Sequence, residues 1–493
     1  MTNETAKIAD CSFLHFIYPF TFGSEEFGER MTALDGQKDV WLPKEFPAGE
    51  TLSHVADYLR PREGHPRAAR LWKLSEQNNM PLRLTRDLDC RLIADKKEIP
   101  FTFGGAQRNS VAVELALFGV GVGFLTVAVK PTGEDVPTWL AFLHYFRVIN
   151  GNHNVSLTIT AADAPRSSKF AQGAVTYAAI RDTLLGTASL AGEQDKHWWY
   201  DVFVPDRMIP FAALFVDGLD GERERGTLLY RVRNFFRNEQ TVIATDEDLQ
   251  VKGHPSLLPY VEGQQFLFSL EGGSFVAFDA PRDNVFFRET LPSHLRDQYF
   301  LVFLLALHQR FALIRLSQRV AERWTGDREG RFVRFGQIRE DFLDFSARGY
   351  FVQVMQREHH HRFYRKWHEV FQMNALYQEV RDEVREMHDY LLMKQNERLQ
   401  ELQEGQRRQL EQEAEKSEQD REARDRREKE INLLIGSATL AVAIPALTFG
   451  FLAINIEAYK LTIAIAAWIA AGAFSVSALT TIVIWWRRPA RKR

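Results

Sequence analysis

INLLIGSATLAVAIPALTFGFLAINI, residues Ile431–Ile456, and LTIAIAAWIAAGAFSVSALTTIVIWW, residues Leu461–Trp486, are two runs of 26 residues without a charge. An apolar helix needs about 20 residues to cross a bilayer, so each run is long enough to span. Only Glu457, Ala458, Tyr459 and Lys460 separate them, which predicts a tight antiparallel hairpin. Arg424, Arg426, Arg427 and Lys429 precede the first run, and Arg487, Arg488, Arg491, Lys492 and Arg493 follow the second. Basic flanks stay on the cytoplasmic side, so both termini are expected there, with the short loop outside and Trp485 and Trp486 at the inner interface. The expected setting is therefore the cell (inner) membrane, crossed twice.

Upstream, 18 of the 28 residues in Gln403–Glu430 are charged, and Leu410, Ala414 and Ala423 are its apolar residues. Pairs such as Glu404 with Arg408 and Glu422 with Arg426 have the supportive i,i+4 order of a helix, although a solvated linker has the same composition. Leu376, Val380, Val384, Met387 and Leu391 recur at spacings of 4, 4, 3 and 4, so a packed helix enters this stretch. One helix from about Leu376 to Ile456 is expected, roughly 120 Å long at 1.5 Å per residue. A rod of that kind is stable mainly as a bundle or coiled coil of copies. Further back, Ser293–Trp324, with Pro292 and a Ser293 cap, reads as an apolar helix. Its run Tyr299–Leu307 is too short to span and belongs in a core. Phe332–Ala347 and Tyr350–Phe371 read as two more helices, making hairpins over 291–373.

The first 290 residues carry short β-rich runs at Phe13–Phe22, Pro81–Thr85, Val111–Phe118, Val122–Val129, Val155–Thr160, Phe211–Val216, Gln265–Leu270 and Phe275–Phe278. Glycines at 119, 121 and 123, and the triplet Glu271-Gly272-Gly273, mark hairpins. A helix is expected over Val136–Ile149, and loops at Arg60–Arg70, Ala162–Lys169 and Asp217–Gly226. The organisation read from the chain is an α+β cytosolic domain (1–290), helical hairpins (291–373), a charged stalk helix (374–430), two transmembrane helices (431–456 and 461–486) and a basic tail (487–493).

The chain has 493 residues, 45% of them hydrophobic, and 62 Lys plus Arg against 65 Asp plus Glu, a formal charge of −3. That balance gives no basic field for nucleic acid, and none is expected as a partner. Cys11 and Cys90 cannot supply a disulfide framework and read as reduced thiols. The first residues lack a basic region followed by an apolar run, so no signal peptide is expected. No phosphate-binding loop, HExxH, GxSxG or CxxC is present, and no enzyme is expected, although a catalytic constellation need not be contiguous in sequence. His359, His360 and His361, with Glu358 and His368 near them, have the composition of a metal cluster, but consecutive histidines point around a helix and a solvated face fits better. Asp217, Asp220, Glu222 and Glu224 lack EF-hand spacing. In the first span Asn432, Gly436, Thr439, Ala443, Ala446, Gly450 and Ala453 recur at 4, 3, 4, 3, 4 and 3, placing small or polar residues on one stripe. Such a stripe serves close helix packing or faces a water-filled axis. Ala467, Ala471 and Ser475 of the second span are expected to pack on the first.

The whole arrangement resembles the CorA-like divalent metal transporters, in which a cytosolic α/β domain and a long stalk lead into the first of two C-terminal spans. That family's first span carries proline, threonine and glycine before a Gly-Met-Asn motif. Here Pro445, Thr448, Gly450 and then Ala453-Ile454-Asn455 stand in the same order, with Ala453 and Ile454 in place of the glycine and methionine. The resemblance implies a homopentamer whose first spans line a pore for a divalent cation, Mg²⁺ or else Zn²⁺, Co²⁺ or Ni²⁺. Asn455, with Ile454, Ala453 and Gly450, would then form the selective outer part, Thr439 and Asn432 inner rings, and Glu457 the outer mouth. The large, phenylalanine-rich N-terminal part, with 37 phenylalanines in the whole chain, suits another reading. This is a ligand-gated membrane effector or sensor of the defence type, with a small-molecule ligand on that domain.

Overall fold

The computed structural model describes residues 6–61, 67–75, 84, 89–104, 112–150, 154–160, 174–190, 193, 197–237, 243–324, 331–459 and 463–486. The chain divides into two compact units, Met1–Leu391 and Leu392–Arg493.

The first unit is built on one twisted, almost wholly antiparallel sheet. Its strands are β1 (Phe13–Thr21), β2 (Trp41–Lys44), β3 (Ala69–Leu74), β4 (Asp89–Ala94), β5 (Lys97–Phe103), β6 (Val113–Phe118), β7 (Val122–Pro131), β8 (Ser156–Thr160), β9 (Ile209–Asp217), β10 (Leu257–Val261), β11 (Gln264–Ser269) and β12 (Gly272–Phe278). Three two-residue strands complete it. The order is β8-β4-β5-β7-β1-β9-β12-β11-β10, and a second arm, β6-β3-β2, leaves the same edge of β7 as β5 does. β9 and β12 pair in parallel, so the sheet is mixed. Strand β1 is buried at every position, because helices cover both faces. Its even residues, Leu14, Phe16, Tyr18 and Phe20, enter one core, and Phe13 and Ile17 enter the other.

The helices sort accordingly. The first core takes Leu34 of α1 (Phe27–Gly36), Trp139 and Phe142 of α3 (Val136–Tyr145), Ile180 of α4 (Tyr177–Gly186) and Leu228 of α5 (Glu222–Arg233). The second takes Val55 of α2 (Ser53–Leu59), the long helix α6 over 286–324, α7 (Arg331–Asp344), α8 (Glu358–Val370) and the start of α9 (Met373–Tyr459). Met373, Val380, Val384 and Met387 are buried in it, which bears out the spacing seen in the sequence.

Several expected boundaries shift. Ser293 does not cap a helix. Helix α6 begins with π-helical turns at Phe286–Thr290 and Leu295–Tyr299, and Ser293 lies between them in Leu291–His294. Tyr350–Arg357 is not helical, and the third helix starts at Glu358. The acidic loop ends early, because Glu222 and Glu224 already belong to α5, and Arg223 and Arg225 pair with Asp246 and Asp279. The strand expected at Pro81–Thr85, apart from Leu84, and the loop at Ala162–Lys169 lie outside the described residues.

The hairpin β6–β7 turns at Gly121, where φ is +84° and an added Cβ would lie 2.5 Å from the carbonyl oxygen of Phe22. Both the left-handed backbone and the close approach require glycine. Gly121→Ala is expected to cost about 2 kcal/mol, read as a shift of the denaturation midpoint; an unchanged midpoint would contradict this account of the turn.

Candidate functional site

In the second unit, α9 continues to Tyr459 and α10 covers Ile463–Trp486. Every residue from 395 to 436 is exposed, and the charged stretch is held by its own i,i+4 pairs, Arg426 to Glu422 at 3.3 Å and Arg408 to Glu404 at 3.7 Å. Exposed pairs of this kind add a few tenths of a kcal/mol each, about enough to favour a helix whose residues already prefer that state.

Among the described residues two helices are long and apolar enough to cross a membrane. In Phe286–Glu322 the apolar window is 78% buried, so this is the core helix α6 expected from its short apolar run. In Met373–Phe451 the window is not buried at all. Leu440, Val442, Leu447, Phe449 and Phe451 lie open on its surface.

The apolar end of α9 and the apolar helix α10 touch through small side chains. Ser437, Ala441, Ile444, Pro445 and Thr448 are partly covered on the first, and Ala470, Ala473 and Ser477 on the second. The Ser477 hydroxyl donates to the carbonyl of Ala441 at 3.3 Å, and Phe449 and Phe474 meet edge to face at 6.4 Å. Small residues let backbones approach, and a hydroxyl that bonds across helices avoids an unsatisfied group in hydrocarbon. The face predicted for the second span is corrected here: Ala467, Ala471 and Ser475 are exposed. All three lie one turn or less from the true contact positions, and a stripe of small residues is wide enough on this alanine-rich helix to mislead.

The apolar end of α9 has two small-residue faces. One meets α10. On the other, Asn432, Gly436, Thr439, Ala446 and Gly450 are exposed and Ala443 is half-buried, so the stripe read from the sequence faces away from the hairpin partner. Thr439 donates its hydroxyl proton to the carbonyl of Ile435 at 2.7 Å, which leaves its oxygen lone pairs facing outward. Ala453, Ile454, Asn455 and Glu457 fall in the last turns of α9, and their side chains lie outside the described residues. The basic tail, Arg487 to Arg493, lies outside them too.

The histidine run gathers no metal site in this arrangement, and it is not the solvated face expected from the sequence either, because the helix turns part of it into the core. His360 is buried and stacks on Tyr299 at 4.3 Å, His359 leans on Tyr260 at 5.1 Å, and His368 meets the Gln309 side-chain oxygen at 3.0 Å. Among the described residues no group of three potential ligands converges. Burial pushes the Cys90 thiol up to about 12, so that cysteine is an inert core residue.

A second site lies in the first unit and has no counterpart in the sequence reading. A cavity of about 220 Å³ opens between the sheet and α6. Its floor is one face of the sheet: His15 of β1, Lys44 of β2, Leu71 of β3, Glu114 of β6, and Thr126 and Ala128 of β7. Its roof is Arg296, Asp297, Phe300, Leu301 and Leu304 of α6. These residues come from six elements, so no local motif could have announced them.

No family model, curated protein or solved structure matches the chain.

Proposed function

We propose that this chain is a CorA-like membrane channel for divalent metal cations. It is a homo-oligomer, a pentamer by resemblance, anchored in the cell membrane by the α9–α10 hairpin with both termini in the cytoplasm. The observation that carries the reading is the open stripe on the first span. Its far side is occupied by α10, and Asn432 and Thr439 are polar residues that would not be left against lipid. Copies of the first span packed around an axis would turn that stripe inward, with Thr439 and Asn432 as inner rings, the exposed Gly450 allowing close approach, and Ala453, Ile454 and Asn455 toward the outer end. Rings of amide oxygens suit a cation that keeps much of its water, as Mg²⁺ does. Glu457 would raise the local cation concentration at the mouth.

The test is cation flux into liposomes holding the purified full-length protein and an indicator dye, with Mg²⁺, Zn²⁺, Co²⁺ or Ni²⁺ supplied outside. Saturable flux is expected, and Asn455→Ala should change it about tenfold, the equivalent of one interaction of ~1.4 kcal/mol, at unchanged oligomer size. Unchanged flux would remove Asn455 from the selective ring. No flux from a well-inserted oligomer would favour the second reading, a ligand-gated membrane effector or sensor, to which the cavity under α6 specifically points.

A further inference from the structure

The sheet face beneath α6 is otherwise built from Phe13, Ile17, Leu71, Ala116, Phe118, Phe124 and Phe211. Into this apolar surface β1, β2 and β6 set an imidazole, an ammonium and a carboxylate, all lining the one cavity. Lys44 and Glu114 pair with each other there, which leaves His15 as the group with no polar partner at its Nδ1.

We propose that the cavity is a binding site for a small organic anion. The ligand would be a carboxylate or phosphate ester on an apolar body, with its charged group held by Arg296, Lys44 and the imidazole of His15. The binding rests on neither reading of the membrane hairpin.

Four observations support this. First, His15 is 7% exposed and its Nδ1 has no hydrogen-bond partner. The ring is fixed edge-on against Phe300 at 4.6 Å and tilted against Phe13 at 5.0 Å, so its orientation is set without a polar contact at that nitrogen. A neutral imidazole in the wall of a cavity is a polar group that a ligand can engage. Second, the charges that act on His15 are positive. Burial holds His15 neutral, pushing it down to about 3, and the charges that add to this, those of Arg296 and Lys44, are both positive. An anion placed among the three groups relieves that repulsion and takes charge-assisted hydrogen bonds. Third, the carboxylates of the lining are already engaged. Glu114 pairs with Lys44, and an ammonium has two further donors to offer. Asp297 accepts from the Ser293 hydroxyl at 3.2 Å. Fourth, the rest of the wall is apolar. Phe46, Leu71, Phe300, Leu301 and Leu304 would bury a hydrocarbon or aromatic body, the usual division of labour in a small-molecule site. Arg296 and Lys44 keep part of their surface in solvent, so the charged side of the cavity is also its mouth.

The test uses the full-length protein in detergent micelles and four probes of similar size: phenyl phosphate, benzoate, benzyl alcohol and benzylamine. Thermal unfolding and calorimetric titration are read together. Phenyl phosphate or benzoate is expected to bind saturably and to raise the melting temperature by several degrees at a hundredfold excess over Kd. The tighter of the two identifies the head group. Benzyl alcohol and benzylamine should bind at least tenfold more weakly. Arg296→Met and His15→Leu should each weaken the anion at least tenfold. Equal binding of benzyl alcohol, no saturable binding of either anion up to 10 mM on the order of weak-site affinities, or full retention in a folded Arg296→Met variant would each overturn the proposal. The comparison of the four probes on the unaltered protein decides the matter even if a variant fails to fold.

Discussion

Acidification from pH 7 to pH 5 is expected to destabilise the Met1–Leu391 unit by about 5 kcal/mol, a large part of the stability of an ordinary domain. The three most deeply buried histidines carry most of the effect, and His368, lowered by burial to about 4, adds to it. His15, His308 and His360 are 7%, 0% and 4% exposed, and burial lowers them to about 3, 3 and 4. In the unfolded chain each takes up a proton near pH 6.5, while the folded protein refuses it until pH 3 to 4. The unfolded state therefore binds more protons throughout that window. Stability is complete above pH 6.5 and falls by about 1.4 kcal/mol per pH unit per histidine below it, about 4 kcal/mol per unit for three. Denaturant midpoints followed by tryptophan fluorescence at pH 7, 6 and 5 check this. His308→Gln, which keeps a partner for the Tyr58 hydroxyl now 3.2 Å from the His308 ring nitrogen, should remove about a third of the slope. A midpoint that does not move between pH 7 and pH 5 would show that these rings are reached by solvent.

Trp367→Ala should cost about 3–5 kcal/mol, the largest expected effect of a single substitution. Trp367 has no exposed surface and is wedged between Phe303 of α6 at 4.5 Å, Phe268 of β11 at 4.7 Å and Phe371 at 4.9 Å. It fits because β12 has glycine beneath it: a Cβ at Gly273 would lie 2.6 Å from the indole ring. The cavity left by alanine would open at the junction of sheet, α6 and α8, where neighbours held by other aromatic contacts cannot collapse inward. The indole N–H has no hydrogen-bond partner, so Trp367→Phe gives up only volume and should cost much less, about 1–2 kcal/mol. Chemical denaturation of both variants measures the difference; equal losses would mean that the indole nitrogen, not its volume, matters.

The parts legible in the sequence were those with strong periodicity. The packed start of α9, the hairpin at Gly121, the pair β11–β12 and the buried nature of 299–307 all follow from local pattern. Five strands escaped notice for identifiable reasons. Pro43, Pro100 and Pro259 lie in β2, β5 and β10, and proline argues against a strand unless the strand is at an edge, as β2 and β10 are. β4 alternates charged and buried residues over only six positions, and the start of β3 looked like the end of a loop. In the membrane segment, spacing revealed a small-residue stripe but not which of two such faces meets α10, because both satisfy the same packing rule. The cavity was invisible for a different reason: His15, Lys44 and Glu114 are brought together by strand pairing and Arg296 by the packing of α6 on the sheet, and each looks ordinary in its own neighbourhood.

In the exposed charged run 395–430 the side chains meet only residues of their own helix, so almost any helix-forming residue is tolerated there and identity is free to drift. Descendants of this chain should therefore differ widely in spelling over that stretch, while keeping helix-forming residues and oppositely charged pairs at i,i+4 spacing.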